Sequence, residues 1–591
     1  MNIQQENFFL DDFTKAVCIE LSEKINSLFQ IPVSIYELAQ AFSLPPDKEW
    51  GHWALPCFFL SKKLKKNPAE IAQQISTTFD NSSVFEKVIN KGPYLNFFFQ
   101  KSFLKTNLLD RLNTGDTFRV SPKKTGSYLI EYSQPNTHKE LHIGHTRNLC
   151  FGLSLVTLLK KRGFPVITCT YPGDMGTHVA KCLWYLAFHN KEPFPLHRKG
   201  QWLGVIYTKA YKKFEQTEGS LEKEKNKKQV THILQQLQKK QGEFYDLWQE
   251  TRLWSQDLMN EVYQWAGTEF DHWYWESEMD ASSIKWVKKL LEQGKLQLSE
   301  SAVGMDLGET LGFCLLLKSD GNGLYATKDL YLAKKKFEDH KPAKNIYVVD
   351  QRQEAHFQQV FKVLENIGLP ELAKKSSHLK YNFVELKTGA MSSRAGNIIP
   401  IMNLIDTMTD YIKDHFLNKY QGEWSDEKIK HTAYILAQGA IKYGMNEQDL
   451  NKKIVFDMKE WLKLDGRSGP YIQYAHARAC SLLKKLNSST EDKGIKINMQ
   501  SLSSPEEWDL ILHLSWFSLT MEKCAWQMKT SPICHYLFEL AQKFSRFYQN
   551  CPIGSLHNKE QKHFRLFLVQ VVRRTLEEGL SILSIPAPEQ M

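Results

Sequence analysis

The segment 131–147 contains the residues of this sequence that are best suited to chemistry on a phosphate group. His142 and His145 flank an Ile-Gly pair, and Lys139 lies three residues before the first histidine. Imidazoles can donate hydrogen bonds to phosphate oxygens, lysine supplies a positive charge, and Gly144 lets the backbone approach a ligand. Because phosphoryl or nucleotidyl transfer needs donors where charge develops, we expect this segment to bind a nucleotide.

The elements on either side of this segment would place it at the edge of a sheet. An apolar run at 128–132 predicts a buried strand, the pattern of about 144–162 predicts a helix, and 165–171 predicts a second strand. Strand, helix and strand at this spacing indicate a βαβ unit and therefore a parallel sheet. In such folds nucleotides bind at the carboxyl ends of the strands, next to a helix N-terminus.

Composition restricts the class of protein only loosely. The 591 residues carry a net charge of +10, with 42% hydrophobic and 24% charged residues, which suits a multidomain globular protein. The basic excess fits a polyanionic partner such as RNA but is not specific for one. No apolar run is long enough for a membrane helix and the first residues are polar and acidic, so we expect a cytoplasmic protein with no membrane partner. The ten cysteines are scattered, without C-x-x-C or HExxH patterns, so no metal site and no structural zinc is expected.

Helical and extended patterns divide the chain into three regions. An α+β domain spans 1–118, with helices near 13–28 and 68–79, an extended stretch at 92–99 and a linker at 113–127. A domain of alternating strands and helices spans 119–424, and an all-α domain spans 425–591, with long amphipathic patterns at 510–526 and 535–548.

Two stretches inside the middle domain differ from their surroundings. The block at about 185–300 is dense in Lys, Gln, Glu and Trp, which predicts a helical insertion, and its charged run 223–240 is typical of a solvated helix face. The stretch 321–326 fits the weak G-x-G-x-x-A dinucleotide pattern, but Asp-Gly-Asn-Gly between two short apolar runs predicts a hairpin turn instead.

The motifs resemble those of a known family. His142-Ile-Gly-His145 is similar to the HIGH motif of class I aminoacyl-tRNA synthetases, and with Glu131, Pro135 and Asn136 the longer string resembles the arginyl-tRNA synthetase family. Further similar blocks match the family's second strand exit, its later sheet strands and its anticodon-binding domain: 173–178, 319–329, 347–357, 469–478 and 587–591. The resemblance implies a multidomain α/β fold with a Rossmann-like catalytic domain, an N-terminal tRNA-contacting domain and a C-terminal all-α anticodon-binding domain.

The resemblance also implies substrates and roles for the nucleotide site. ATP with Mg²⁺, L-arginine and tRNA(Arg) would be the partners of a monomer that forms arginyl-adenylate. His142, Gly144 and His145 would contact ATP, and the two histidines would steady the pentavalent phosphorus. A second ATP loop is matched by Met391, Ser392, Ser393, Arg394 and Gly396. Ser393 stands where the family's KMSKS pattern has a lysine, and Lys139 is the residue that would substitute for it.

Arginine recognition would depend on carboxylates, which meet the planar guanidinium with two parallel hydrogen bonds. By resemblance, Glu131 and Asp329 would bind the guanidinium together with the hydroxyl of Tyr325. Asn136 and Gln353 would hold the α-amino end of the substrate. Taken alone, each acid is more typical of a solvated or helix-capping residue.

Candidate RNA contacts lie in both terminal regions. Tyr471, Tyr474 and Arg478 have i, i+3, i+7 spacing after Gly-Pro, which places them on one face of a helix that could stack unpaired bases. A buried stripe has the same spacing, so the pattern alone leaves both interpretations open. By resemblance the face would read the anticodon loop. Further contacts implied in the same way are Tyr548 and Met591 at the anticodon and Tyr94 and Asn96 at the tRNA elbow, although a core at a sheet edge would explain Tyr94 and Asn96 equally well.

Three functions are compatible with these observations. An arginine–tRNA ligase uses every motif. A non-catalytic RNA-binding relative would explain the altered loop at 391–397 but would have no use for His142, His145 and Lys139. A small-molecule adenylate-forming ligase would need neither the helical domain after 425 nor the patch at 92–99.

Overall fold

A computed structural model describes residues 10–114, 125–216, 221–389, 398–486 and 499–591. The chain forms two compact units. One unit combines the two ends of the chain, and the other holds the middle. Their bounds are Met1–Pro122, Lys161–Gly163 and Lys463–Met591 for the first, and Lys123–Lys160 and Phe164–Leu462 for the second.

The N-terminal part of the first unit is a small α+β domain, as expected. Its elements are α1 (Asp12–Phe29), α2 (Ile35–Ala41), β1 (Trp53–Pro56), α3 (Phe58–Leu64), α4 (Pro68–Ser76), β2 (Phe85–Lys91), β3 (Tyr94–Phe99), α5 (Lys101–Leu104) and α6 (Asp110–Thr114). The three strands form an antiparallel sheet in the order β1-β3-β2. Phe13 of α1 packs edge-on against Trp53 and Phe99, so the aromatic strand residues form the core. Residues 115–124 of the predicted linker lie outside the described residues.

The second unit is larger and contains a parallel sheet. Its elements are β4 (Tyr128–Glu131), α7 (Ile143–Lys161), β5 (Val166–Thr170), α8 (Thr177–Phe188), α9 (Lys199–Gln216), α10 (Leu221–Lys239), α11 (Glu243–Ala266), β6 (His272–Trp273), α12 (Glu276–Glu292), β7 (Gln297–Ser299), β8 (Ala302–Asp306), β9 (Phe313–Leu317), α13 (Tyr325–His340), β10 (Lys344–Asp350), α14 (Glu354–Asn366), α15 (Pro370–Lys375), β11 (Ser376–Tyr381), β12 (Val384–Leu386), α16 (Ile401–Ile412), α17 (Asp426–Glu447), β13 (Ile454–Phe456) and α18 (Met458–Trp461).

The main sheet has five parallel strands in the order β11-β10-β4-β5-β6. The predicted strand–helix–strand unit is present as β4, α7 and β5. From β4 the chain first adds β5 and β6 on one side and later adds β10 and β11 on the other. The strand order therefore reverses at β4, which is the position where open parallel sheets bind ligands.

The predicted helical insertion consists of α8 to α11, which pack around a core of their own. Trp184, Trp248 and Trp254 are buried in it, and α10 contributes Val230 and Ile233 while most of its lysines are exposed. The insertion is shorter than the expected 185–300, because β6 returns the chain to the main sheet at His272.

The segment after the insertion differs from the sequence prediction at one point. A small antiparallel sheet, β7-β8-β9, is followed by the predicted turn, in which Gly321 N–H donates to the Lys318 carbonyl over 2.9 Å. The block Tyr325–Asp329, expected among the later sheet strands, instead forms the first turn of α13. Its i, i+4 spacing puts Tyr325 and Asp329 on the same side of that helix.

Residues 425–462 were expected in the all-α C-terminal domain, but they belong to the second unit and include a strand. β13 pairs in parallel with β12. In α17, the side chains of Gln438 and Lys442 donate to the carbonyls of Trp265 and Ala266, the last two residues of α11. Because terminal helix carbonyls lack intrahelical partners, these bonds attach α17 to the insertion.

The C-terminal part of the first unit is helical. Its elements are α19 (Gly469–Lys485), α20 (Pro505–Ser515), α21 (Phe517–Gln527), α22 (Ser531–Asn550) and α23 (Lys559–Ile582). The predicted long helix 510–526 is broken at Trp516, whose ring lies 4.8 Å from that of Trp53. Within the described residues no helix has the length and apolar character of a membrane span, and no three His, Cys, Asp or Glu side chains are grouped as metal ligands.

Candidate active site

The segment that connects β4 to α7 lies at the carboxyl end of the central strand. Asn136 forms an isolated parallel bridge with Gly173, and Thr137 N–H donates to the Gly173 carbonyl over 2.8 Å. The loops that follow β4 and β5 are thus bonded to each other. This arrangement brings 132–142 and 171–176 into one crevice.

His142 and His145 form a close pair at the start of α7. Their ring centroids are 4.0 Å apart. The backbone N–H of His142 donates to Nδ1 of His145, and that of Gly144 donates to Nδ1 of His142, each over 3.1 Å. Because Nδ1 accepts in both rings, the proton of each neutral imidazole is on Nε2.

The environment of the two rings favours their neutral forms. Burial, and secondarily Lys139, lowers the pKa of His142 to about 4. Burial, with further contributions from His142 and Lys139, lowers the pKa of His145 well below its ordinary value. At neutral pH both rings are therefore uncharged donors.

Lys139 and the residue before it are positioned by the helical insertion. Lys139 Nζ lies 5.2 Å from the ring centroid of Tyr207 in α9. His138 is buried at a φ of 60°, and its Nε2 lies 2.9 Å from the hydroxyl of Thr251 in α11. Its backbone N–H donates to Ser255 Oγ over 2.9 Å. Sequence analysis missed this role of α11, because Thr251 and Ser255 are more than 100 positions away and carry no local signal.

The segment just after the second predicted ATP loop is attached to the histidine motif. Ile143 N–H donates to the Ile399 carbonyl, and Ile401 N–H donates to the Leu141 carbonyl, both over 3.0 Å. The candidate loop residues themselves lie outside the described part of the chain: Met391, Ser392, Ser393, Arg394 and Gly396.

Glu131, the last residue of β4, is almost completely buried, with 3% of its surface exposed. Its Oε2 pairs with Lys336 Nζ of α13, and its Oε1 accepts from Gln134 Nε2 over 3.1 Å. Both carboxylate oxygens thus have protein partners. This geometry differs from the expected bidentate contact of Glu131 with a guanidinium.

Two further carboxylates lie at helix starts next to the same crevice. Asp329 Oδ2 is 2.5 Å from His356 Nε2, and Tyr325, one turn earlier, is 72% exposed. Glu276, the first residue of α12, pairs with Lys328 over 2.8 Å. A Cβ atom added to Gly173 would lie 3.2 Å from Glu276 Oε2 and 2.3 Å from the side-chain oxygen of Asn136, which places both acceptors against this glycine.

Glu276 is a candidate that sequence analysis missed. It is the N-terminal residue of a helix, where acidic residues are common for local reasons alone. Gln353 occupies the end of a short 3₁₀ turn after β10 and is exposed. The structure thus brings Glu131, Asn136 and Asp329 to one edge of the sheet and adds Glu276 to them.

The helix α19 has one partly exposed side, which carries the predicted RNA contacts, and one buried side. Tyr471, Tyr474 and Arg478 are only partly buried, whereas the residues between them, such as Ile472 and Ala475, form the buried side. Arg478 donates to the Tyr474 hydroxyl over 2.6 Å. Its guanidinium carbon lies 4.6 Å from the ring centroid of Tyr474 and 4.9 Å from that of Tyr548 in α22, so two aromatic rings flank one cation.

The remaining RNA candidates have different environments. The C-terminal segment before Met591 lies along α19, since the carbonyls of Pro586 and Pro588 are bonded to Gln473 and His476. Tyr94 is 39% exposed. Asn96 is 1% exposed within the sheet, so its side chain offers no contact surface for a ligand.

Comparisons with known proteins agree along the whole chain. A family model described as tRNA synthetases class I (R), catalytic domain, matches residues 108–459. The chain is 48% identical to an arginine–tRNA ligase of Bdellovibrio bacteriovorus, over 94% of this chain and 95% of that protein. It is 32% identical to an arginine–tRNA ligase of Treponema denticola, over 93% and 94% of the two chains. The chain belongs to the arginyl-tRNA synthetase family. This membership confirms the predicted fold class and the predicted activity of an arginine–tRNA ligase.

The other comparisons extend the family likeness to the terminal domains. Models described as Arginyl tRNA synthetase N terminal domain and DALR anticodon binding domain match residues 18–99 and 472–591. The fold is similar to that of the arginyl-tRNA synthetase of Thermus thermophilus, with a TM-score of 0.81, 25% identity, and coverage of 98% of this chain and 100% of that one. The face formed by Tyr471, Tyr474 and Arg478 thus lies at and just before the start of the DALR match.

Proposed function

We propose that this member of the arginyl-tRNA synthetase family activates L-arginine with MgATP and transfers it to tRNA(Arg). In the first step a carboxylate oxygen of arginine attacks the α-phosphorus of ATP, and pyrophosphate leaves with its bonding electrons. In the second step a ribose hydroxyl of the terminal adenosine attacks the carbonyl carbon, and AMP leaves. The histidine pair at the carboxyl end of the central strand, beside a group of carboxylates, is the observation that carries the proposal.

In the nucleotide site, His142 and His145 are proposed as neutral donors. Each Nε2–H is fixed as the donor by the hydrogen bond at Nδ1. A neutral donor stabilises negative charge that develops on the phosphoryl oxygens without holding the pyrophosphate product as tightly as a cation would. Lys139, attached to the same loop, supplies the positive charge.

The second ATP loop is proposed at 391–397. Ser392, Ser393 and Arg394 would act on the phosphates, and Met391 and Gly396 would lie against the nucleotide. The bonds of Ile399 and Ile401 to 141–143 support this assignment, because they hold the residues that follow this segment beside the histidine motif.

For arginine, we assign the guanidinium to Asp329 and Glu276, with Tyr325 at the entrance. These carboxylates lie on two helix starts that face one crevice. Both oxygens of Glu131 already have protein partners, Lys336 and Gln134, so Glu131 would accept at most a single further N–H from the substrate. Asn136 and Gln353 would hold the α-amino end. A lysine substrate would leave acceptors of the guanidinium unpaired, which is costly in a buried site.

For tRNA, the cluster of Tyr474, Arg478 and Tyr548 is proposed as a stacking platform for anticodon-loop bases. Aromatic rings and a guanidinium that are partly exposed side by side suit unpaired bases. Tyr471 and the C-terminal Met591 extend the same surface. Tyr94 is proposed as the elbow contact, without the buried Asn96.

The enzyme is further proposed to act as a cytoplasmic monomer. All ten cysteines are free thiols, which suits a reducing compartment. Light scattering of the purified protein across a concentration series would test the monomer: a mass near twice 68.7 kDa would contradict it.

The decisive experiment is ATP–pyrophosphate exchange over a panel of amino acids, with and without tRNA. Arginine alone should support exchange, and tRNA should be required. Exchange with lysine, glutamate or cysteine but not arginine would overturn the assignment. Adenylate formation on a small acid by the full-length protein, without any charging of tRNA, would instead favour a small-molecule ligase.

A further inference from the structure

Tyr171 has a buried hydroxyl that is without a hydrogen-bond partner in the described part of the chain. The residue directly follows β5, next to the crevice between the loops after β4 and β5. Its ring is anchored in an apolar cluster with Leu129, Cys169, Met279 and Leu332, from four different elements. The ring is therefore fixed while its polar end is unsatisfied, and a buried hydroxyl that lacks a partner costs free energy.

The negative charges of four carboxylates from separate segments act on this hydroxyl, although none of them is hydrogen-bonded to it. Burial, followed in order by the charges of Asp329, Glu276, Glu131 and Asp174, raises the pKa of Tyr171 well above its ordinary value. The phenol therefore stays protonated. A neutral phenol among carboxylates can accept an N–H from a cation and turn its own proton toward a carboxylate oxygen.

The partners of the four acids differ in charge. Glu131 pairs with Lys336 and Glu276 with Lys328. Asp174 pairs with Arg252 over 2.9 Å and also accepts from Ser277. Asp329 alone among the four has a histidine as its partner. Asp329 is thus the one of the four without a lysine or arginine partner, and its charge is also the first of the carboxylate charges that act on Tyr171.

We infer that the Tyr171 hydroxyl accepts a hydrogen bond from the guanidinium of the arginine substrate and contributes to the choice of arginine. The inference rests on the proposed function. The guanidinium would donate one N–H to Tyr171 and others to Asp329 and Glu276. Because a guanidinium has only donors, a site made of carboxylates and a phenol oxygen matches it along more than one edge.

The test uses Tyr171→Phe in the full-length enzyme, since phenylalanine keeps the ring in its apolar cluster. We expect the KM for arginine in tRNA-dependent exchange to rise about tenfold, on the general scale for one lost hydrogen bond to a charged group. The KM for ATP should stay unchanged. n-Butylguanidine, which lacks the α-amino and α-carboxyl groups, should lose the same factor as a competitive inhibitor. If the KM for arginine rises while inhibition by n-butylguanidine is unchanged, Tyr171 contacts the α-amino end of arginine, and the proposed contact with the guanidinium is wrong.

A second measurement and a matched control distinguish a role in arginine binding from a purely structural role. Without ligand, Tyr171→Phe should be at least as resistant to urea as the wild type, because the lost hydroxyl was buried without a partner. The stabilisation by added arginine should shrink. Tyr274→Phe, from the same apolar cluster but with a hydroxyl bonded to Asp339 and His340, should leave the KM for arginine unchanged. Unchanged arginine binding in Tyr171→Phe would overturn the inference. Absence of arginine-dependent exchange in the wild type would instead overturn the proposed function.

Discussion

Lys336 and Glu131 form an ion pair in which both side chains are almost entirely withdrawn from water. Lys336 has no exposed surface, and its Nζ also lies 4.1 Å from the ring centroid of Tyr347 on the neighbouring strand β10. Burial lowers the pKa of Lys336, but the charge of Glu131 outweighs it, and the net effect is a raised pKa. The last residue of the central strand is therefore held by a buried ammonium group from α13.

Removal of the positive charge of Lys336 should strongly destabilise the fold. In Lys336→Met, Glu131 would be left as a buried carboxylate without compensation, and breaking such a pair costs about 3–5 kcal/mol. Urea unfolding should show this loss of stability, and the KM for arginine should rise. Lys336→Arg keeps the charge and should recover part of both quantities. Wild-type stability of Lys336→Met would show that the pair contributes nothing to the fold.

Replacement of either motif histidine should reduce the rate of the chemical step. His142→Ala and His145→Ala should each lower the kcat of arginine-dependent exchange by about 10²–10³-fold, as for other donors that act on developing charge. The KM for arginine should change little. His232→Ala, on the exposed side of α10, is the matched control. Equal rates for His145→Ala and the wild type would indicate that this pair takes no part in catalysis.

Buried neutral histidines should make the fold sensitive to acid. Burial lowers the pKa of His138 to about 3 and that of His142 to about 4, below the ordinary 6.5 of the unfolded chain. The contribution of these two histidines to the free energy of unfolding is therefore fully present above pH 6.5. It is lost as the pH falls toward 4, because in that range only the unfolded state takes up the protons. Each should contribute a slope of about 1.4 kcal/mol per pH unit in that window.

The measurement is the free energy of unfolding from pH 7 to pH 4.5. His138→Asn is the informative variant, because asparagine tolerates the left-handed backbone at this position. This substitution should reduce the slope of the free energy of unfolding against pH by the contribution of one histidine. An identical slope in the variant and the wild type would mean that His138 is protonated in the folded state.

The tyrosine–arginine cluster should affect tRNA without affecting the small substrates. Arg478→Ala removes the cation between two rings and should raise the KM for tRNA about tenfold, in line with base stacking of 1–3 kcal/mol. The KM for ATP should not change. Lys484→Ala, at the exposed end of the same helix, is the control for loss of one positive charge. An equal effect of the two substitutions would indicate a general electrostatic contribution instead of stacking.

Local patterns were sufficient to predict the β4–α7 edge of the main sheet. The apolar run before Glu131 and the helix that begins at Ile143 are each determined by residues close in sequence. The turn before α13 was predicted for the same reason. Tyr325 and Asp329 were expected in a strand because the order of the family blocks was known but not the element that carries each one.

Long-range pairing explains what sequence analysis missed. His138 and Thr251 meet across 113 positions, and Glu131 and Lys336 across 205. Neither pair has a spacing that a local pattern could indicate. The break at Trp516 is similar, because the helical pattern continues through it while the indole packs against Trp53. Glu276 was not predicted as a site residue, because acidic residues are common at the start of a helix.

Two residues of the loop after β4 have left-handed backbone conformations, which glycine and asparagine adopt more readily than most residues: Ser133 and His138. Both are bonded to α11, Ser133 through the hydroxyl of Tyr263 and His138 through Thr251 and Ser255. The loop thus takes its shape from a helix that the chain inserts only after β5. A shortened enzyme without α8 to α11 would keep the His142–His145 motif, yet the loop after β4 would relax into a different conformation. For anyone who engineers a minimal synthetase from this scaffold, the insertion cannot be treated as dispensable.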